Sequence, residues 1–134
     1  LVESKNTATA IKEQLSKEDK KKYEAEIKYS TEIVKKIDDL IAIYLGKVDD
    51  RQGITRNPEV TINQRFGTAF SYIRSRFGNQ THTEKQLTNQ FLEAFKEAIK
   101  RTNDFYSSDW IAYKKATDEI IISPFKEAKI FDEN

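Results

Sequence analysis

From Tyr23 to Val48 the side chains Tyr23, Ile27, Ser30, Val34, Ile37, Ile41, Tyr44 and Val48 recur at alternating steps of four and three. A helix places such a set on one face, whereas a strand, with its period of two, scatters it over both. The spacing therefore predicts a long helix. Ile33, Leu40 and Leu45 broaden the seam beyond the two positions per heptad that a two-stranded coil uses. A stripe that wide needs more than one partner helix, which implies a bundle. Glu24/Lys28 and Glu32/Lys36 add acid-then-base pairs four residues apart, and Gly46 suits the helix's C-terminal end.

The rest of the chain agrees with an all-α architecture. Four glycines and two prolines in 134 residues are too few for a fold built of strands and tight turns. An apolar fraction of 37% beside 34% charged residues fits slim amphipathic helices with broad solvated faces. The length suits one domain, residues 1–134, large enough to bury a core. No methionine is present, so Leu1 is expected to follow residues of a longer chain. With 23 basic and 22 acidic residues interspersed, no polybasic block supports nucleic acid or an anionic membrane as principal partner. No apolar run approaches the roughly 20 residues of a membrane span. Cysteine is absent, which excludes disulfides and thiolate metal sites.

In order, residues 1 to about 15 carry a weak helical pattern in Val2, Ala8, Ile11 and Leu15. Ser16 to Asp19 can form a capping box, which places a break there. After the seam helix comes a connector, Asp50 to Pro58. Asn57, Pro58 and Glu59 give three consistent helix-start signals. The helix they open runs to Phe77, with Ile62, Phe66, Ala69, Ile73 and Phe77 on one face and Phe70 beside it. Gly67 inside it costs about 1 kcal/mol relative to alanine, which a close helix–helix contact would explain. Gly78-Asn79 ends it, and Thr81-His82-Thr83-Glu84 is a capping box that opens the last helix. That helix can run from about His82 to Ile121, with its weakest point at Tyr106–Trp110 and a stop at Ser123-Pro124. The expectation is an antiparallel helical bundle of three long helices plus a shorter N-terminal one. Within the connector, Gly53 is expected at positive φ and Ile54 buried.

Few residues point to chemistry. His82, the only histidine, sits in a polar turn with no partner that the sequence can place. The acid pairs Asp38-Asp39, Asp49-Asp50 and Asp118-Glu119 are adjacent on helices or in a loop, where they cannot face each other across a cleft. Asp49-Asp50 lacks the ligand spacing of a calcium loop. Asn79-Gln80-Thr81 is a formal glycosylation sequon whose threonine already serves as a cap. Phe105, Tyr106, Trp110 and Tyr113 can stack on a sugar or a peptide, but their helical spacing fits core packing better. Arg51, Arg56, Arg65, Arg74 and Arg76, in or just after the connector, can face an acidic partner or pair with Asp49, Asp50 and Glu59.

The run DRQGITRNPEVTINQRFGTAFSYI, residues 50–73, resembles the C-terminal helical region of bacterial proteins whose N-terminal part is a sortilin-type or BNR-repeat β-propeller. Asn103-Asp104-Phe105-Tyr106, Asp109-Trp110 and Ile122-Ser123-Pro124-Phe125-Lys126 extend the resemblance in the same order. It implies a periplasmic, secreted or cell-surface protein with the propeller upstream. Any chemistry would lie in the propeller blades, so no catalytic residue, cofactor or metal is implied here. The functional expectation is a non-catalytic accessory domain that packs on its own propeller or on another protein, through Arg51, Gln52, Ile54, Arg56 and Trp110. Two alternatives follow from other features. The Tyr23–Val48 seam can serve a homo-oligomeric bundle, and Trp110 with its neighbouring tyrosines can serve a carbohydrate- or peptide-binding module.

Overall fold

The computed structural model describes residues 1–18, 20–47, 60–75 and 77–120, and all its regular elements are helical. Helix α1 spans Val2–Glu18 and α2 Glu24–Leu45. Helix α3 spans Ile62–Arg74, and α4 His82–Phe105. A π-helical turn, Tyr106–Trp110, joins α4 to α5, Ile111–Asp118, without a stop. The last three form one continuous rod of 37 residues, about 55 Å long at 1.5 Å per residue. The other helices are arranged around it.

Three side-chain bonds fix the direction of α2 on this rod. Tyr44 bonds Thr102 (2.9 Å), Lys36 bonds Asp109 (2.6 Å) and Ser30 bonds Tyr113 (2.9 Å). The α2 number falls as the rod number rises, so the two run antiparallel. The short link after Glu18 turns the chain back, and Lys5 of α1 reaches Asp38 of α2 at 2.6 Å. Helix α1 thus runs parallel to the rod, with its first turn beside Tyr106, whose hydroxyl is 2.9 Å from Ser4 Oγ. The lower half of the molecule is a closed three-helix bundle. Its core is Ala8, Ile33, Ile37, Phe105 and Tyr113, with Ile11, Val34, Ile41 and Trp110 packed around them.

Among the described residues the upper half has two helices. Helix α3 lies against α4, as the short 75–81 connection requires, and the rings of Phe66 and Phe91 meet at 5.5 Å between centroids. Only Ile62 and Ala69 of α3 are buried.

Several sequence expectations hold. Thr81 caps α4 through a full capping box: its Oγ1 accepts from Glu84 N (3.3 Å) and Glu84 Oε2 accepts from Thr81 N (2.6 Å). Gly46 ends α2 at φ 90°, in the region that glycine enters without side-chain penalty. The weak point at Tyr106–Trp110 is the π-helical turn, where Ser107 and Ser108 hydroxyls both donate to the Asp104 carbonyl. Such bonds compete with the regular ladder.

Other expectations are corrected. The first break falls after Glu18, not at Ser16, which lies within α1 and donates to the Lys12 carbonyl. Helix α3 opens at Thr61, not at Asn57-Pro58. Thr61 Oγ1 accepts from Gln64 N and Gln64 Oε1 accepts from Thr61 N, both at 3.1 Å, so this box is the cap of α3. The helix stops at Arg74 rather than Phe77, leaving 13 residues, fewer than the 17 of α1. Gly67 has open space around it and makes no close contact. Lys36 pairs with Asp109 across helices, at 2.6 Å.

Candidate functional site

The predicted interaction residues Arg51, Gln52, Ile54 and Arg56 lie outside the described residues, as do Gly53 and Asn57–Glu59. Trp110, the fifth, is half-buried. Its ring lies 5.6 Å from Tyr113, 6.2 Å from Phe105 and 6.4 Å from Tyr106. Tyr113 and Phe105 are core residues, so this aromatic group is mainly packing. The seam of α2 is likewise occupied within the chain. Ser30, Ile33 and Ile37 are buried against α1 and the rod, which gives an intramolecular account of the feature that suggested oligomerisation.

A groove of about 710 Å³ lies among α2, the start of α3 and the rod, lined by Leu40, Ile43, Thr61, Arg101, Phe105 and Ser108 among others. Most of its charged groups are held in ion pairs: Lys36 with Asp109, Lys47 with Asp39 (3.0 Å), and Arg101 with Glu97 outside the groove (3.0 Å), while the Asp104 carboxylate also lines it. The one serine on its wall, Ser108, is bonded to the Asp104 backbone carbonyl. Among the described residues no three histidine, aspartate or glutamate side chains gather as a metal would require. His82 is exposed in the first turn of α4. Asp38 pairs with Lys5 and Asp39 with Lys47, so these adjacent acids serve separate ion pairs.

The feature with no internal account is the side of the α3–α4 hairpin. Phe66 and Phe70 remain 50% exposed, Ile73 41%, Leu92 43% and Ile99 40%, and Phe77 is fully exposed. All but Phe77 belong to one surface. Phe70 stacks on Phe66 (5.8 Å), Phe66 meets Phe91 (5.5 Å), and Phe91 stacks on Phe95 (5.6 Å), so a ladder of rings crosses from α3 to α4. Phe95 is three residues past Leu92 and four before Ile99, which makes both its neighbours on the helix surface. Apolar side chains scattered singly on a surface need no explanation; a contiguous patch does.

The rod shows why the patch exists. Leu92, Ile99 and Tyr106 are seven residues apart and fall on one row. Tyr106, at the foot of the row, is covered by the first turn of α1. Leu92 and Ile99 lie about 21 and 10 Å higher, at 1.5 Å per residue, where α1 does not reach. The row thus continues past the helix that covers it. The periodicity of α3 and α4 made an apolar face legible, but that α1 leaves it uncovered is positional and emerges only when α1 is placed.

The chain matches no family model, no curated protein and no solved structure. No helix of the described residues is long and apolar enough to cross a membrane.

Proposed function

We propose that this chain is a non-catalytic helical interaction domain that binds another protein through the exposed aromatic face of the α3–α4 hairpin. The observation that carries the reading is the contiguous surface of Phe66, Phe70, Ile73, Leu92 and Ile99 beside a lower half with a closed core. A helix pair with one open apolar face is the half-site of a helical recognition groove, and burial there is worth about 25 cal/mol per Å² before the costs of association. In the groove among α2, α3 and the rod, Lys36, Asp39, Lys47 and Asp109 are held in ion pairs with one another, which supports binding over chemistry as the role of the domain.

The resemblance of residues 50–73 and 103–126 supplies a partner class: a secreted or periplasmic sortilin-type or BNR-repeat β-propeller, carried by the same protein or by another. The test is calorimetry, titrating this domain into a purified propeller encoded upstream in the same reading frame. The reading expects heat of binding that disappears with Leu92→Glu/Ile99→Glu. Absence of heat with both pieces folded, or heat untouched by the double substitution, contradicts it.

A further inference from the structure

The patch is bordered by charges of one sign. Helix α3 carries Arg65 and Arg74 and no carboxylate between Ile62 and Arg74. Arg74 follows Phe70 by one turn, beside the ring ladder. On α4, Lys85 heads the seven-residue row of Leu92 and Ile99, and Lys96 lies one turn past Leu92. All three are exposed. The acids of α4 are turned elsewhere. Glu84 is buried in its cap, Glu97 is paired with Arg101, Asp104 lines the groove beside α2, and Glu93 lies a quarter-turn or more from the row. The surface is therefore apolar along its centre and basic at its edges.

We infer that this face seats a single amphipathic α-helix with acidic flanks, lying over Leu92 and Ile99 in line with α1. The inference rests on the interaction reading above, though not on the partner being a propeller. Three observations carry it. The shape is that of two packed antiparallel helices, whose side-chain ridges leave a groove that fits a third helix. The chain shows this arrangement lower on the same row, where α1 covers Tyr106. The basic borders match an acidic ligand and oppose a second copy of this chain, which would bring Arg74, Lys85 and Lys96 against their own kind. From Lys85 to Ile99 the seat is about 21 Å long, some four helical turns.

The test is a display library of 18-residue helices with a fixed leucine seam, whose flanking positions are drawn equally from Glu, Lys, Gln and Ser, selected against the intact chain. Enrichment of Glu at the flanks is expected. Binding of the selected helices should fall at least tenfold with Leu92→Glu/Ile99→Glu and weaken as salt rises. Lys85→Glu/Lys96→Glu should shift selection toward Lys. Because these residues are exposed, circular dichroism should show the variants as helical as the parent. Neutral or basic flanks, or no enrichment, overturn the inference. So does a concentration-dependent dimer in sedimentation that Leu92→Glu/Ile99→Glu abolishes, since the occupant is then a second copy. Capture by phosphatidylserine vesicles with no helix enriched overturns it in favour of a lipid surface. If Leu92→Glu/Ile99→Glu abolishes propeller binding while no acidic helix is selected, the interaction reading stands and the helix inference alone falls.

Discussion

Tyr113 and Ser30, 83 residues apart in the chain, share a hydrogen bond of 2.9 Å inside the core. Ser30 Oγ also donates to the Glu26 carbonyl at 2.8 Å. Its one proton is thereby committed, so Tyr113 is the donor in the bond between them. This links α5 to the middle of α2 and closes the lower bundle. Burial pushes the Tyr113 phenol above its ordinary 10.0; a Ser30 hydroxyl turned to donate to the phenolate offsets part of the rise, and Tyr29 adds to it. A pKa raised in the folded state means that the unfolded chain loses this proton first. The stabilisation is complete below pH 10 and is lost as pH climbs through the folded value. Denaturant melts of the parent and Tyr113→Phe between pH 8 and 11 should show a steeper alkaline loss in the parent. At pH 8 the variant should be weaker by about 0.5–1.5 kcal/mol, the net worth of one hydrogen bond. Parallel alkaline limbs would contradict a buried phenol.

The two halves of the molecule should respond differently to truncation. Ile37 is fully buried, and Ile37→Ala should cost about 2–5 kcal/mol from lost burial and the cavity left behind. Phe70 is half exposed and touches Phe66 on its own helix. Phe70→Ser should cost under about 1 kcal/mol, close to the range of surface changes. Urea melts of the two variants give the comparison. A Phe70→Ser cost as large as that of Ile37→Ala would mean that the hairpin face is covered in solution.

Thr81 holds the start of α4 with its hydroxyl, and Glu84 returns the bond. Thr81→Ala should cost about 0.5–2 kcal/mol, and Thr81→Ser, which keeps the acceptor oxygen, should recover most of that. Equal losses for the two variants would show that the threonine methyl, not the cap, is what matters.

Much of this fold was legible because helices announce themselves locally. The α2 seam, the Thr81 box, the Gly46 stop and the irregularity at Tyr106 all depend on neighbours within a turn or two. What failed was competition between equally good local signals. Asn57-Pro58-Glu59 carries the more familiar start signals and drew the boundary upstream, whereas α3 is capped by the reciprocal bonds of Thr61 and Gln64. Ser16 reads as a cap, yet its hydroxyl is satisfied by the Lys12 carbonyl inside α1. The candidate site was harder still. The 3.6-residue period shows that Phe66, Phe70 and Ile73 share a face with Ile62 and Ala69, but not how many helices stand opposite. That number depends on how α1 is placed along a rod whose residues lie about 100 positions away. Trp110 attracted attention as a lone tryptophan, yet its ring packs on Phe105 and Tyr113, five and three residues away on the same rod.

Openness of the seat over Leu92 and Ile99 can be measured directly, because the chain has no cysteine to interfere. Single cysteines at Leu92, Ile99 and Ile37 report maleimide reactivity at several protein concentrations, with and without an acidic helix selected as above. Leu92→Cys and Ile99→Cys should react nearly as fast as an unfolded peptide, independent of concentration, and slow sharply when the helix is added, while Ile37→Cys stays protected throughout. If the cysteines at positions 92 and 99 are as slow as that at 37 in the free protein, or are unaffected by the bound helix, the face is not the binding surface.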